Sequence, residues 1–144
     1  MLGKRSAQWG LFEADTLYGD FVGRRTFVGY LASERGELFR DEDFAALYCP
    51  NNGRPSVPPS LLATALVLQT YDGVSDEEAK QRADYDLHWK VALGTELQVR
   101  PFAKSTLQEF RSATDPARPD TRRLPAESGG GQAARGMEER SCAG

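Results

Sequence analysis

The spacing of apolar residues divides the chain into a patterned part and an unpatterned one. Ahead of residue 26, Trp9, Leu11, Phe12, Leu17, Tyr18 and Phe21 are interleaved with Gly10, Gly19 and Gly23, which predicts an irregular N-terminal arm over 1–25 with short helical turns. From Thr26 onward, steps of three and four residues through Phe27, Tyr30, Leu31 and Glu34 predict a helix closed at Gly36 by a left-handed glycine. A shorter helix follows, with Asp41 as its cap, Glu42 and Asp43 at the positive end of its dipole, and Phe44, Leu47 and Tyr48 as one stripe before Pro50.

After the proline- and glycine-rich stretch 51–59, a helix is predicted from Pro59 to Tyr71. Its apolar residues Leu61, Leu62, Ala63, Ala65, Leu66, Val67 and Leu68 cover nearly the whole circumference, the mark of a helix surrounded by others. Gly73 ends it, and Ser75-Asp76-Glu77-Glu78 opens the next with a capping box. Ala79, Ala83 and Leu87, then Trp89, Val91, Ala92 and Leu93, carry apolar surface from there to Gly94. Beyond Pro101, Ser105-Thr106-Leu107-Gln108 reads as a second capping box, and Leu107 with Phe110 begins a last apolar face. The fold class is therefore all-α: a small multi-helix domain over 26–112, with a helix-turn-helix-like hairpin around Gly73, followed by a tail.

Composition sharpens the boundary near residue 112. Every Phe, Tyr and Trp of the 144 residues lies at or before Phe110, so core-forming material stops there. The segment 113–144 is rich in Gly, Ala, Arg and Pro, with Leu124 and Met137 its large apolar residues, and reads as disordered. Two cysteines, Cys49 and Cys142, lie too far apart to suggest a disulfide framework. No apolar run is long enough for a membrane span, and the expectation is a cytoplasmic protein that meets no membrane.

Charge limits the function classes. The net charge is −3, with 13 basic and 16 acidic residues up to Ser112, so contact with DNA has to be local rather than driven by bulk charge. Two surfaces qualify. Lys80, Gln81 and Arg82 follow the hairpin turn, as contacts of a second helix in a major groove would, although Asp76, Glu77 and Glu78 at that helix start would repel phosphate. Arg100, Lys104, Thr106, Gln108 and Arg111 surround the start of the last helix, where hydroxyls and amides join the cations. For both, ordinary packing of a helical hairpin and a solvated polar face explain the same spacing.

Catalytic and cofactor chemistry finds little support. The acidic triplets 41–43 and 76–78 suit helix starts better than a metal site, since neighbours within one turn diverge. His88, the one histidine, stands between Leu87 and Trp89 without a partner for acid–base work. Gly129-Gly130-Gly131 lacks the lysine of a phosphate-binding loop. No catalytic residue, cofactor or metal ligand is assigned.

Taken in order, Leu38 to Tyr48, Gly53-Arg54-Pro55-Ser56-Val57-Pro58-Pro59-Ser60-Leu61-Leu62, Gly73 to Ala79, Asp86-Leu87-His88-Trp89-Lys90, and Phe102 with Ser105 to Arg111 form a succession that resembles the N-terminal domain of InsH-like insertion-sequence transposases. The resemblance covers residues 9 to 112. It implies a helical domain ahead of a DDE catalytic core using divalent metal such as Mg2+, with the terminal inverted repeats of the element as DNA partner and a homo-oligomer as a further expectation. None of the catalytic carboxylates has a counterpart here, so this chain is expected not to be an enzyme by itself. The abrupt change after Ser112 suggests truncation by a frameshift. DNA binding, a helical dimerisation or interaction module, and an inactive remnant are the three functional readings left open.

Overall fold

The computed structural model describes residues 2–3, 12–48 and 56–117. Among these the protein is all-helical: α1 Ala14–Val22, α2 Phe27–Leu38, a 3-10 helix Asp41–Leu47, α3 Pro59–Asp72, α4 Asp76–Tyr85, α5 Leu87–Leu93 and α6 Lys104–Thr114. The single β-bridge among the described residues pairs Glu13 with Glu96. Cys49, Pro50 and the expected tail beyond residue 117 lie outside the described residues.

Helix α3 is central, as its all-round apolar character requires. Leu61, Leu62, Ala63, Ala65 and Leu68 are buried with Leu31 from α2, Ala79 and Ala83 from α4, Trp89, Ala92 and Leu93 from α5, and Leu107 and Phe110 from α6. Phe44 of the 3-10 helix closes the far side, its ring 5.5 Å from that of Phe110. Burial of these side chains supplies the main driving force for folding.

The local signals differ in how they play out. At the end of α3, Gly73 adopts φ +66°, the left-handed conformation that costs a residue with a Cβ. The capping box at α4 forms in full, with the Glu78 amide donating to Ser75 Oγ (3.2 Å) and the Ser75 amide to Glu78 Oε2 (3.0 Å).

Four expectations are corrected. Helix α2 passes through Gly36 to Leu38, and Gly36 has no positive φ. Asp41 does not cap its own helix: it is buried, and its Oδ1 accepts from the Ser60 amide (3.0 Å). That bond satisfies an open amide in the first turn of α3, whose N-cap, Pro58, has no side-chain donor or acceptor. Ser105 does not cap α6 either, because the helix begins one residue earlier at Lys104, with Ala103 at the cap and no side-chain cap bond. Finally, the stripe from Ala79 to Leu93 spans two helices. Asp86 leaves the helical conformation (ψ 124°) and caps α5 by accepting from the His88 amide (2.8 Å).

The stretch read as an irregular arm contains a regular helix. α1 buries Ala14, Asp15 and Gly19 and packs on α2 and α5. Asp15, fully buried, lies 2.6 Å from Arg24 Nη1 and 3.6 Å from Arg35 Nη2, so paired charges join the apolar contacts of Ala14 and Val22 with α2 and α5 at this helix. The turn into α2 comes so close to it that a Cβ on Gly29 would lie 2.4 Å from the Gly23 carbonyl oxygen.

Candidate nucleic-acid interface on helices α4 and α6

Helices α3 and α4 join across residues 73–75, and α6 packs along both. The two surfaces picked out in the sequence are therefore brought together as one face. Its organising residue is Gln69, in the last turn of α3. The Gln69 amide nitrogen donates to the Val74 carbonyl (3.1 Å) and to Asp76 Oδ1 (2.8 Å), while its oxygen accepts from Arg111. Arg111 also lies 2.6 Å from Asp76, and Gln108 donates to Asp76 Oδ2 (3.0 Å).

These bonds hold the Asp76 carboxyl down to about 2, the Gln69 and Gln108 amides first and the Arg111 guanidinium after them. Lys104 pairs with Glu77 at 2.9 Å. The Glu78 carboxyl is likewise lowered, by the bonds from the Ser75 amide and hydroxyl. The acidic start of α4, which in isolation repels phosphate, is thus largely satisfied from within the protein.

The five cations expected to touch DNA separate by what they already hold. Lys80 is bound to Asp84 at 2.5 Å, the side chains being 20% and 8% exposed. Arg82 reaches back to Asp72 (3.0 Å), whose Oδ2 also accepts from the Trp89 indole (2.8 Å). Arg111 is held by two partners, Asp76 and Gln69. Lys104 and Glu77 are both well exposed, and such a pair is worth about 0–1 kcal/mol, so a phosphate can take the place of the carboxylate.

Arg100 differs from these four. It has no carboxylate partner among the described residues; its Nη2 donates to the Tyr85 hydroxyl (3.1 Å), and its guanidinium carbon lies 6.0 Å from the ring centroid. Tyr85 is 73% exposed and stands one turn after Gln81, itself exposed, on the outer side of α4. Thr106 is half-buried in the first turn of α6. An exposed ring, a guanidinium with no carboxylate partner among the described residues and an amide on one face offer stacking, charge and hydrogen bonding together, the combination nucleic-acid surfaces use. Tyr85 was not singled out in the sequence. The signal was there, as a large aromatic on the polar side of a helix between Asp84 and Asp86.

Among the described residues no group of three His, Cys, Asp or Glu side chains is placed to hold a metal ion, and no helix is long and apolar enough to cross a membrane. His88 is exposed, 3.4 Å from Asp86.

Comparison with known proteins places the molecule in the class of transposase-related proteins. A family model described as a transposase domain, DUF772, matches residues 28–113, and the chain belongs to that family. The match runs from within α2 to within α6, so it includes the whole α4–α6 face, while α1 precedes it. No curated protein and no solved structure matches the chain.

Proposed function

We propose that this chain is the DNA-contacting helical domain of an InsH-like, DDE-type insertion-sequence transposase. It serves DNA transposition and recombination by engaging the terminal inverted repeats of the element, not by phosphoryl transfer. On this reading a frameshift lies beyond the family match, which ends at residue 113, and the divalent-metal chemistry belongs to a catalytic domain that these residues do not supply. The contact centres on Arg100 and Tyr85, with Gln81, Lys104 and Thr106 beside them. Lys80, Arg82, Gln108 and Arg111 serve it indirectly, by holding α4 and α6 together.

The observation that carries the reading is Arg100. In an acidic domain whose other predicted cationic contacts are tied to carboxylates, it alone among those five has none among the described residues and lies against an exposed aromatic ring. Titration with a duplex carrying the element's end tests it. Binding should weaken steeply with salt and exceed that of a scrambled duplex; equal, salt-insensitive or absent binding would count against it.

A second reading, a helical interaction module that dimerises without touching DNA, is favoured by one feature. Leu17, Tyr18 and Phe21 form an exposed apolar side of α1. Mass that rises with protein concentration while DNA binding is absent would support that reading over the first.

A further inference from the structure

Lys90 is fully buried in α5, between Trp89 and Val91. Removing an ammonium group from water is costly, so its surroundings must return the lost hydration. They do so through two elements. Its Nζ donates to the Val99 carbonyl in the loop leading to α6, and the Asp84 carboxylate of α4 supplies countercharge while being paired with Lys80 at 2.5 Å. Burial lowers the Lys90 pKa; Asp84 opposes that shift and Lys80 adds to it.

The groups that answer Lys90 stand next in sequence to both halves of the exposed platform. Asp84 precedes Tyr85 and Val99 precedes Arg100. Residues 96–100 are exposed, so the backbone that carries Arg100 has few apolar anchors of its own. A hydrogen bond on the carbonyl of Val99 fixes the peptide plane leading into Arg100, and hence the direction in which its side chain departs.

We infer that Lys90 is a positioning residue for the DNA contact: through its hydrogen bond to Val99, with Asp84 as countercharge, it holds Arg100 over Tyr85. It touches no DNA itself. The inference rests on the proposed DNA-contact reading for its purpose, and on the geometry of the protein alone for its substance.

The test uses the full chain and two readouts. In the free protein, the side-chain NMR signals of Arg100 should be displaced by the Tyr85 ring current, with Tyr85→Leu giving the undisplaced reference. Lys90→Met keeps the length and apolar stem of the side chain but cannot donate. It should fold, remove most of that displacement, and lower affinity for the element-end duplex by the same factor as Arg100→Ala, about 3- to 10-fold. The double variant should bind no worse than Arg100→Ala alone. Lys90→Arg, which retains charge and donors, should restore part of both signals. Should Lys90→Met not fold, Asp84→Asn loosens the same cluster from the α4 side and should reduce the displacement too. Unchanged Arg100 signals in a folded Lys90→Met or Asp84→Asn protein would overturn the inference. Loss of the displacement in Lys90→Met, with DNA affinity unchanged in both Lys90→Met and Arg100→Ala, would uphold Lys90 as the positioning group while removing the DNA-contact reading.

Discussion

Helices α1 and α6 stand at opposite ends of the described chain and attach to the body in opposite ways. α6 turns Leu107 and Phe110 inward and keeps Lys104, Gln108 and Arg111 outside. α1 turns its small residues Ala14 and Gly19 and its charged Asp15 inward, and leaves Leu17, Tyr18 and Phe21 outside. One helix is held by side-chain volume, the other by close backbone approach and a buried carboxylate between two guanidinium groups. A pattern of large apolar residues therefore identifies the docking face of α6 and points to the wrong side of α1.

The contrast gives a ranked set of substitutions. Phe110→Ala should have the largest effect, because it removes a buried ring packed on Phe44 and leaves a cavity at the base of α6. A loss of about 3–5 kcal/mol is expected in urea unfolding. Asp15→Ala should come next, at about 2–3 kcal/mol, since it takes a buried carboxylate from Arg24 and from the largely buried Arg35, which keeps Glu13 and the Val91 carbonyl. If Asp15→Ala proved neutral, ion pairing would not be what holds α1.

Asp76→Asn should cost about 1 kcal/mol at neutral pH, a figure kept small because the Arg111 side chain it pairs with is 44% exposed. Since the folded carboxyl is held down to about 2, below its value in the unfolded chain, its contribution is complete above the unfolded value and fades as pH falls toward 2. Stability curves for Asp76→Asn and the parent should thus converge in acid; parallel curves down to that pH would contradict the proposed set of bonds. The smallest effect belongs to Phe21→Ser. At 83% exposure its removal should change stability by less than about 0.5 kcal/mol, whereas a larger loss would show that the outer side of α1 is covered in solution.

Some features encoded within one helical turn were legible in the sequence, although Gly36 and Ser105 carried local signals that the fold does not use. The capping box at Ser75, the end of α3 at Gly73 and the all-round apolar α3 depend on neighbours only a few residues away. Much of what escaped was set elsewhere in the chain. Asp41 looks like a local cap but serves Ser60, 19 residues on, and Asp86 breaks a helix whose apolar stripe continues unaltered across the break. At the candidate site the cations were recognisable, but their commitments were not: Lys104 meets Glu77 across 27 positions and Arg111 meets Gln69 across 42. Those pairings are what single out Arg100, and they are tertiary facts.

The central claim is that Arg100, which has no carboxylate partner among the described residues and lies beside Tyr85, is the main DNA contact, ahead of the cations tied to carboxylates. The most direct test compares Arg100→Ala with Arg82→Ala in salt-dependent binding to the element-end duplex, with folding of both checked by circular dichroism. Arg100→Ala should weaken binding several-fold and reduce the salt slope by about 1, while Arg82→Ala should stay within about twofold of the parent. The opposite ranking, or equal losses from both, would contradict the account.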